Sequence, residues 1–142
     1  EVDRIQSNPG ELSIPHNTHV DGNFLITSYY RDGTIVHDIT YPNNMIQVAY
    51  YDSYSGAGNG FDGCWGTYPF LPSGLIISSE INSSANQSAK LMIYERGFAQ
   101  ACYLEGNVTD AVTGNALTGA SVEILNTTLA NNSSSNLLRI SN

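Results

Sequence analysis

The tightest constraint on this chain is a spacing. Apolar runs rich in Val, Ile, Thr, Tyr and Phe recur about every ten residues, each closed by Gly, Pro, Asn or Ser. They are NFLITSYY (Asn23–Tyr30), TIVHDIT (Thr34–Thr40), MIQVAYYD (Met45–Asp52), CWGTYPFL (Cys64–Leu71), LIISSEI (Leu75–Ile81) and KLMIYER (Lys90–Arg96). Arg31-Asp32-Gly33 joins the first two as a hairpin, and Pro72-Ser73-Gly74 marks a later turn. Between them lies a Gly-rich loop, Ser53–Gly63. No stretch carries the apolar period of about 3.6 residues that an amphipathic helix requires. The pattern predicts an all-β, antiparallel protein: a sandwich, a barrel or a propeller.

The chain has 142 residues, enough for one ordinary domain or two small ones, and the pattern changes near Gly97–Ala101. We expect a first region over 1–97 and a second over 98–142. In the second, YLEGNVTD (Tyr103–Asp110) leads through a turn to ASVEIL (Ala120–Leu125). Alternation there sets Val122 and Ile124 on one face and Ser121 and Glu123 on the other. A polar loop then precedes Leu137-Leu138-Arg139-Ile140.

Charge excludes some functions. The net charge is −8, from 13 acidic and 5 basic residues. No Lys/Arg cluster offsets it, so a phosphate backbone would be repelled and nucleic acid is not an expected partner. No apolar run reaches the roughly 18 residues of a membrane span. With neither an initiator Met nor a signal peptide, the sequence reads as a mature or partial chain. Only 13% of residues are charged, and Ser, Asn, Thr, Gly and Tyr supply the polar surface. That balance suits a secreted, extracellular β-protein. Six Asn-X-Ser/Thr sequons, at Asn82, Asn86, Asn107, Asn126, Asn131 and Asn132, favour an exposed, glycosylated surface. Cys64 and Cys102 are expected to pair in an oxidising compartment, stapling the two regions and adding about 3–4 kcal/mol. Two separately buried thiols are the alternative.

Each cluster that suggests chemistry has a plainer reading. His16 and His19 are spaced His-x-x-His, with His37, Asp21 and Asp38 near in sequence, and zinc ligation is conceivable. The favoured reading is that these histidines hydrogen-bond across loops. Asp52 and Asp62 flank the Gly-rich loop, where carboxylates and carbonyls suit Ca²⁺, though the loop lacks the closing Glu of an EF-hand. Tyr51, Tyr54, Trp65 and Tyr68, with Tyr50, offer flat amphipathic rings for a sugar or a protein partner, or else a buried core. There is no Gly-x-Ser-x-Gly elbow to expose a serine nucleophile. Asp52, Asp62 and Glu80 do not single themselves out as a glycosidase pair. An enzyme is not expected, and no catalytic residue is assigned.

Two segments resemble known families. His16–Thr40 (HNTHVDGNFLITSYYRDGTIVHDIT), Tyr50–Ile81 and Leu91–Glu95 resemble the C-terminal region of the choice-of-anchor B family, secreted bacterial proteins with propeller-type LVIVD repeats. The run Trp65-Gly66-Thr67-Tyr68-Pro69-Phe70-Leu71-Pro72-Ser73-Gly74 is its most specific feature. The loop before Leu91 is longer than that pattern has. From Cys102 on, GNVTDAVTGNALTGASVEI resembles the start of a carboxypeptidase regulatory-like, transthyretin-like β-sandwich, through Gly106, Asp110, Gly114, Leu117, Gly119, Ala120 and Val122. The resemblance implies propeller blades followed by a partial sandwich, on a bacterial cell surface, with no catalytic centre to transfer. Residues 19–95 make at most two blades of about 40–45 residues, too few to close a ring. Their edges would pair with other chains. The expected function is therefore a non-enzymatic structural or adhesive subunit, polymerising into filaments as copies complete one another's sheets. The alternative is a glycan- or protein-binding module of a larger secreted protein, with or without Ca²⁺.

Overall fold

The computed structural model describes residues 1–7, 12–56, 60–81, 89–103, 106–118 and 120. They fall into two compact units, Glu1–Ala101 and Cys102 onward, each described by itself below. The described residues hold seven strands and no helix.

In the first unit β1 (Asn17–Asp21), β2 (Phe24–Tyr29), β3 (Gly33–Asp38) and β4 (Ile46–Tyr51) form one antiparallel sheet in chain order. A second sheet holds β5 (Gly63–Tyr68), β6 (Ile76–Ile81) and β7 (Lys90–Tyr94), again in chain order and antiparallel. Neither sheet closes on itself. All-β antiparallel architecture is thus the fold class.

The histidine stretch is a strand and not the loop expected. Asn17-Thr18-His19-Val20-Asp21 pairs with β2 across a Gly22-Asn23 turn in which Gly22 takes a left-handed φ of 58°. A two-residue Gly-Asn turn is a hairpin signal, because Gly enters the left-handed region without steric cost. Gly33 (φ 80°) is needed for another reason. A Cβ there would lie 2.0 Å from the Tyr51 carbonyl oxygen, so only glycine lets β3 start beneath the end of β4.

Register assigns the faces. One face of the first sheet carries Phe24, Ile26 and Ser28 on β2, opposite Asp38, Val36 and Thr34 on β3. Ile26 and Val36 meet Ile76 of β6 as the buried apolar cluster, with Phe24, Val48, Ala49, Tyr94 and Phe98 around it. The other face carries Thr27, Tyr29, Ile35 and His37, all buried too. The N-terminal segment contributes there: the Ser7 backbone bonds the Tyr29 phenol, and Ser13 Oγ donates to the Tyr29 carbonyl (3.2 Å). It is tied down further by Ser7 Oγ on Asp32 and by the Met45 amide donating to Asp3 (3.2 Å).

The sheets are joined along β5, which packs on β2 and more lightly on β1 and β3. An isolated antiparallel bridge, Tyr30 to Cys64, carries the Cys64 amide to the Tyr30 carbonyl at 2.7 Å. After β7 the chain returns to the first sheet. Phe98 packs edge-to-face on Phe24 with ring centroids 4.9 Å apart, and the Ala101 amide donates to the fully buried Asp38 carboxylate at 2.8 Å. The first unit's contacts therefore run to Ala101.

In the second unit the described residues make a tight hairpin. Thr109 bridges Ala116, and the Leu117 amide reaches the Val108 carbonyl at 3.0 Å. Asp110 Oδ1 accepts from the Val112 and Thr113 amides and the Thr113 hydroxyl, and these bonds hold its carboxyl below the usual range. Strand ASVEIL beyond Ala120, and Leu137–Ile140, lie outside the described residues.

Candidate functional site

The interior between the sheets is unusually polar. Thr34 Oγ lies 3.2 Å from Thr67 Oγ and 3.4 Å from Cys64 Sγ, and Ser78 Oγ lies 3.0 Å from the same sulfur. Ser28 Oγ donates to Asn17 Oδ1 at 2.6 Å, on the seam where β1 meets β5. Glu80 is 6% exposed, and its Oε1 has no hydrogen-bond partner. Beside this cluster the Tyr94 phenol is pushed up by burial, with Cys64 and Glu80 adding and the Ser78 and Thr34 hydroxyls opposing. Its oxygen makes no hydrogen bond of standard geometry.

The outward side of the second sheet is the reverse. Strand β6 alternates strictly, with Ile76, Ser78 and Glu80 turned inward and Ile77, Ser79 and Ile81 outward. Cross-strand register places Tyr68, Ile77 and Ile93 on one outward rung and Gly66, Ser79 and Leu91 on the next. Leu91 is 65% exposed and Ile93 62%. Large aliphatic side chains stand in water while serine, threonine and glutamate are buried behind them.

Tyr68 links this face to an aromatic band along the β1–β5 seam. The His19 ring meets Phe70 edge-on at 5.6 Å and Tyr68 at 6.2 Å. Further along, His16 contacts Trp65 at 5.2 Å and Tyr30 at 5.4 Å, and Tyr30 contacts Phe61. Trp65, Tyr68, Phe61 and Phe70 are all exposed. The two histidines are thus aromatic partners, and among the described residues no group of three or more His, Cys, Asp or Glu gathers to hold a metal. His37 is elsewhere, buried on the first sheet's far face. Burial alone drives its pKa down to about 4, and its Nδ1 has no partner.

The expected binding rings do not form one platform. Trp65 and Tyr68 belong to the band. Tyr51 instead packs on Tyr94, centroids 5.2 Å apart. Tyr54 lies beneath the Arg31 guanidinium at 5.2 Å and reaches Asp62 through its hydroxyl (3.4 Å). Asp62 is 4% exposed and ion-paired with Arg31 at 3.1 Å. Asp52 is exposed and accepts the Tyr54 amide at 2.8 Å, and burial first, then Asp32, raises its carboxyl against that bond. The two carboxylates of the Ca²⁺ reading thus both touch Tyr54, one of them already neutralised by an arginine.

The expected Cys64–Cys102 disulfide is a correction. Both are free thiols: Cys64 is fully buried among hydroxyls and Cys102 is exposed. The thiol of Cys64 fills a polar niche between Thr34, Thr67 and Ser78. Of the sequons, Asn107 is exposed, while Asn82, Asn86, Asn126, Asn131 and Asn132 lie outside the described residues.

Leu91, Ile93, Phe61 and Phe70 were not picked out from sequence. KLMIY was the available signal, since four consecutive apolar residues on an alternating strand must place two on each face. Comparison with family models, with curated proteins and with solved structures finds no match to the chain.

Proposed function

We propose that this chain is part of a non-enzymatic extracellular β-protein, a structural or adhesive subunit whose second sheet is covered by a β-layer from a neighbouring copy. The observation that carries the reading is the outward rung Tyr68–Ile77–Ile93 with Leu91 beside it, an apolar sheet face in water. Contiguous exposed apolar faces of this kind mark association surfaces. Two consecutive meander sheets stacked face to face agree with propeller-type blades of the choice-of-anchor B kind, and β7 is the edge at which a fourth strand would add. A secreted, cell-surface setting rests on composition and resemblance. Among the described residues no helix is long and apolar enough to cross a membrane.

Light scattering after size-exclusion chromatography tests the proposal. The wild-type chain, of mass 15.3 kDa, should elute as a concentration-dependent oligomer or filament, and Leu91→Lys should reduce it to monomer. A wild type that stays monomeric at high concentration sinks it.

The aromatic band favours a second reading, a glycan- or protein-binding module. Trp65, Tyr68 and Phe70 present ring faces beside two histidines, a composition suited to sugar faces and protein partners. Binding on a glycan array that is lost in Trp65→Ala and kept in Leu91→Lys would select it.

A further inference from the structure

Along the edge of β7, beside β4, the two sheets leave a groove of about 390 Å³ that Ile93 of the outward rung also lines. Its floor is Thr34, Val36 and Ala49, and its walls include Tyr50, Tyr51, Tyr94 and Phe98. The volume is that of a small-molecule site. We propose that this groove binds an organic ammonium ion with an apolar body, of the quaternary, choline-like class.

Three observations point to a cation. First, the walls are aromatic. The Tyr51 and Tyr94 rings meet at 48° with centroids 5.2 Å apart, forming an angled wall, and such π-faces attract cations that shed little hydration. Second, Glu95 is the single charged side chain lining the groove, and it is exposed. The neighbouring Arg96 does not offset it: its guanidinium is turned away to Asp21 and to the carbonyls of Pro69 and Gly74. Third, Val36, Ala49, Ile93 and Phe98 in the lining offer apolar surface to the body of such an ion. An anion would face a carboxylate on a chain of net charge −8.

The groove is also held in shape without a ligand. Phe98 is fixed on Phe24, Gln100 donates to Thr40 Oγ at 3.2 Å, and the Ala101 amide is anchored on Asp38. The segment Glu95–Ala101 is thereby pinned to the first sheet. A preformed aromatic wall with one carboxylate costs little ordering when a ligand enters.

Isothermal titration calorimetry tests this on the full chain at fixed ionic strength. The probes are choline chloride, tetramethylammonium chloride and neohexyl alcohol, in which carbon replaces the quaternary nitrogen of choline. Saturable binding of both cations is expected, with the neutral alcohol roughly tenfold weaker. Tyr51→Ala and the isosteric Glu95→Gln should each weaken choline roughly tenfold, while Leu91→Lys, outside the groove's lining, should leave it unchanged. Co-sedimentation with phosphatidylcholine vesicles separates sources: capture that free choline competes away assigns a lipid headgroup, and choline binding without capture assigns a free ligand. No saturable binding of either cation overturns the proposal. So does equal binding of the alcohol, or unchanged choline affinity in folded Glu95→Gln and Tyr51→Ala.

Discussion

The two sheets of the first unit obey different rules. The inner strands of the first sheet are buried on both faces, one by the second sheet and the other with help from the N-terminal segment. Among the described residues the second sheet is covered on one face only, and its covered face is the more polar. In a free-standing sandwich the apolar side of each sheet turns inward. Here Ser78 and Glu80 look in while Ile77, Leu91 and Ile93 look out. A sheet so patterned is built to be covered twice, as the first sheet is. The interior hydroxyls cost little where they satisfy one another, and a hydrogen-bonded polar layer fixes register more sharply than an interchangeable aliphatic one.

That contrast is broken most directly at the buried aliphatic contact between the sheets. Ile76 is 2% exposed and is the second sheet's member of the Ile26–Val36–Ile76 cluster. Ile76→Ala should destabilise the first unit by about 2–5 kcal/mol in urea denaturation. A loss below about 1 kcal/mol would mean that the hydroxyl layer and the Tyr30–Cys64 bridge, not the apolar cluster, hold the sheets together.

His37 sharpens the other half of the comparison, because it sits on the first sheet's far face. Its pKa is near 4 when folded and near the ordinary 6.5 when unfolded, so the unfolded chain binds the extra proton between these values. Stability from neutral His37 is fully present above about pH 6.5 and falls as pH drops toward 4, by about 3 kcal/mol in all. His37→Gln should flatten that part of the pH–stability curve relative to wild type. Parallel curves would mean that the ring is hydrated and the far face is open, like that of the second sheet.

Much of the fold could be read from the sequence, and the failures have physical reasons. β2 through β7 announce themselves by β-branched and aromatic runs between turn residues. β1 does not, because Asn17-Thr18-His19-Val20-Asp21 is mostly polar and becomes a strand through pairing with β2. The turn Asp21-Gly22-Asn23 was the missed signal. Trp65 and Tyr68 were legible as aromatic but not as exposed: the run Cys64–Leu71 reads as buried, and only the register of β5 turns both rings outward. Tyr51 and Tyr54 were legible as aromatic but not as separate, because only the sheet stacking sends one to Tyr94 and the other to Arg31. The Cys64 environment was illegible: Thr34, Thr67 and Ser78 come from three strands.

The hydroxyl layer predicts a smaller effect. Thr67→Val keeps the shape and β-propensity of the side chain but removes a partner from Thr34 Oγ and Cys64 Sγ. The cost should be about 1 kcal/mol by denaturant titration. A stabilising outcome would show that Thr34 and Cys64 satisfy each other without Thr67, and that the polar interior is tolerated rather than structural.

The smallest expected change in stability lies on the outward face. Leu91→Thr replaces an exposed strand residue by another good strand former, so a dilute monomer should change by no more than about 0.5 kcal/mol. The same substitution removes apolar area from the rung beside Ile93, and concentration-dependent association should weaken with it. The two readouts separate the alternatives. If Leu91 matters only to association, the second sheet is half of an interface and its inverted patterning follows from a covering layer supplied by another copy. If Leu91→Thr instead destabilises the monomer by about 2 kcal/mol or more, the residue is already buried in the folded chain. The second sheet would then be covered intramolecularly, both sheets would obey one rule, and the aromatic band would be left as the surface on which to look for a partner.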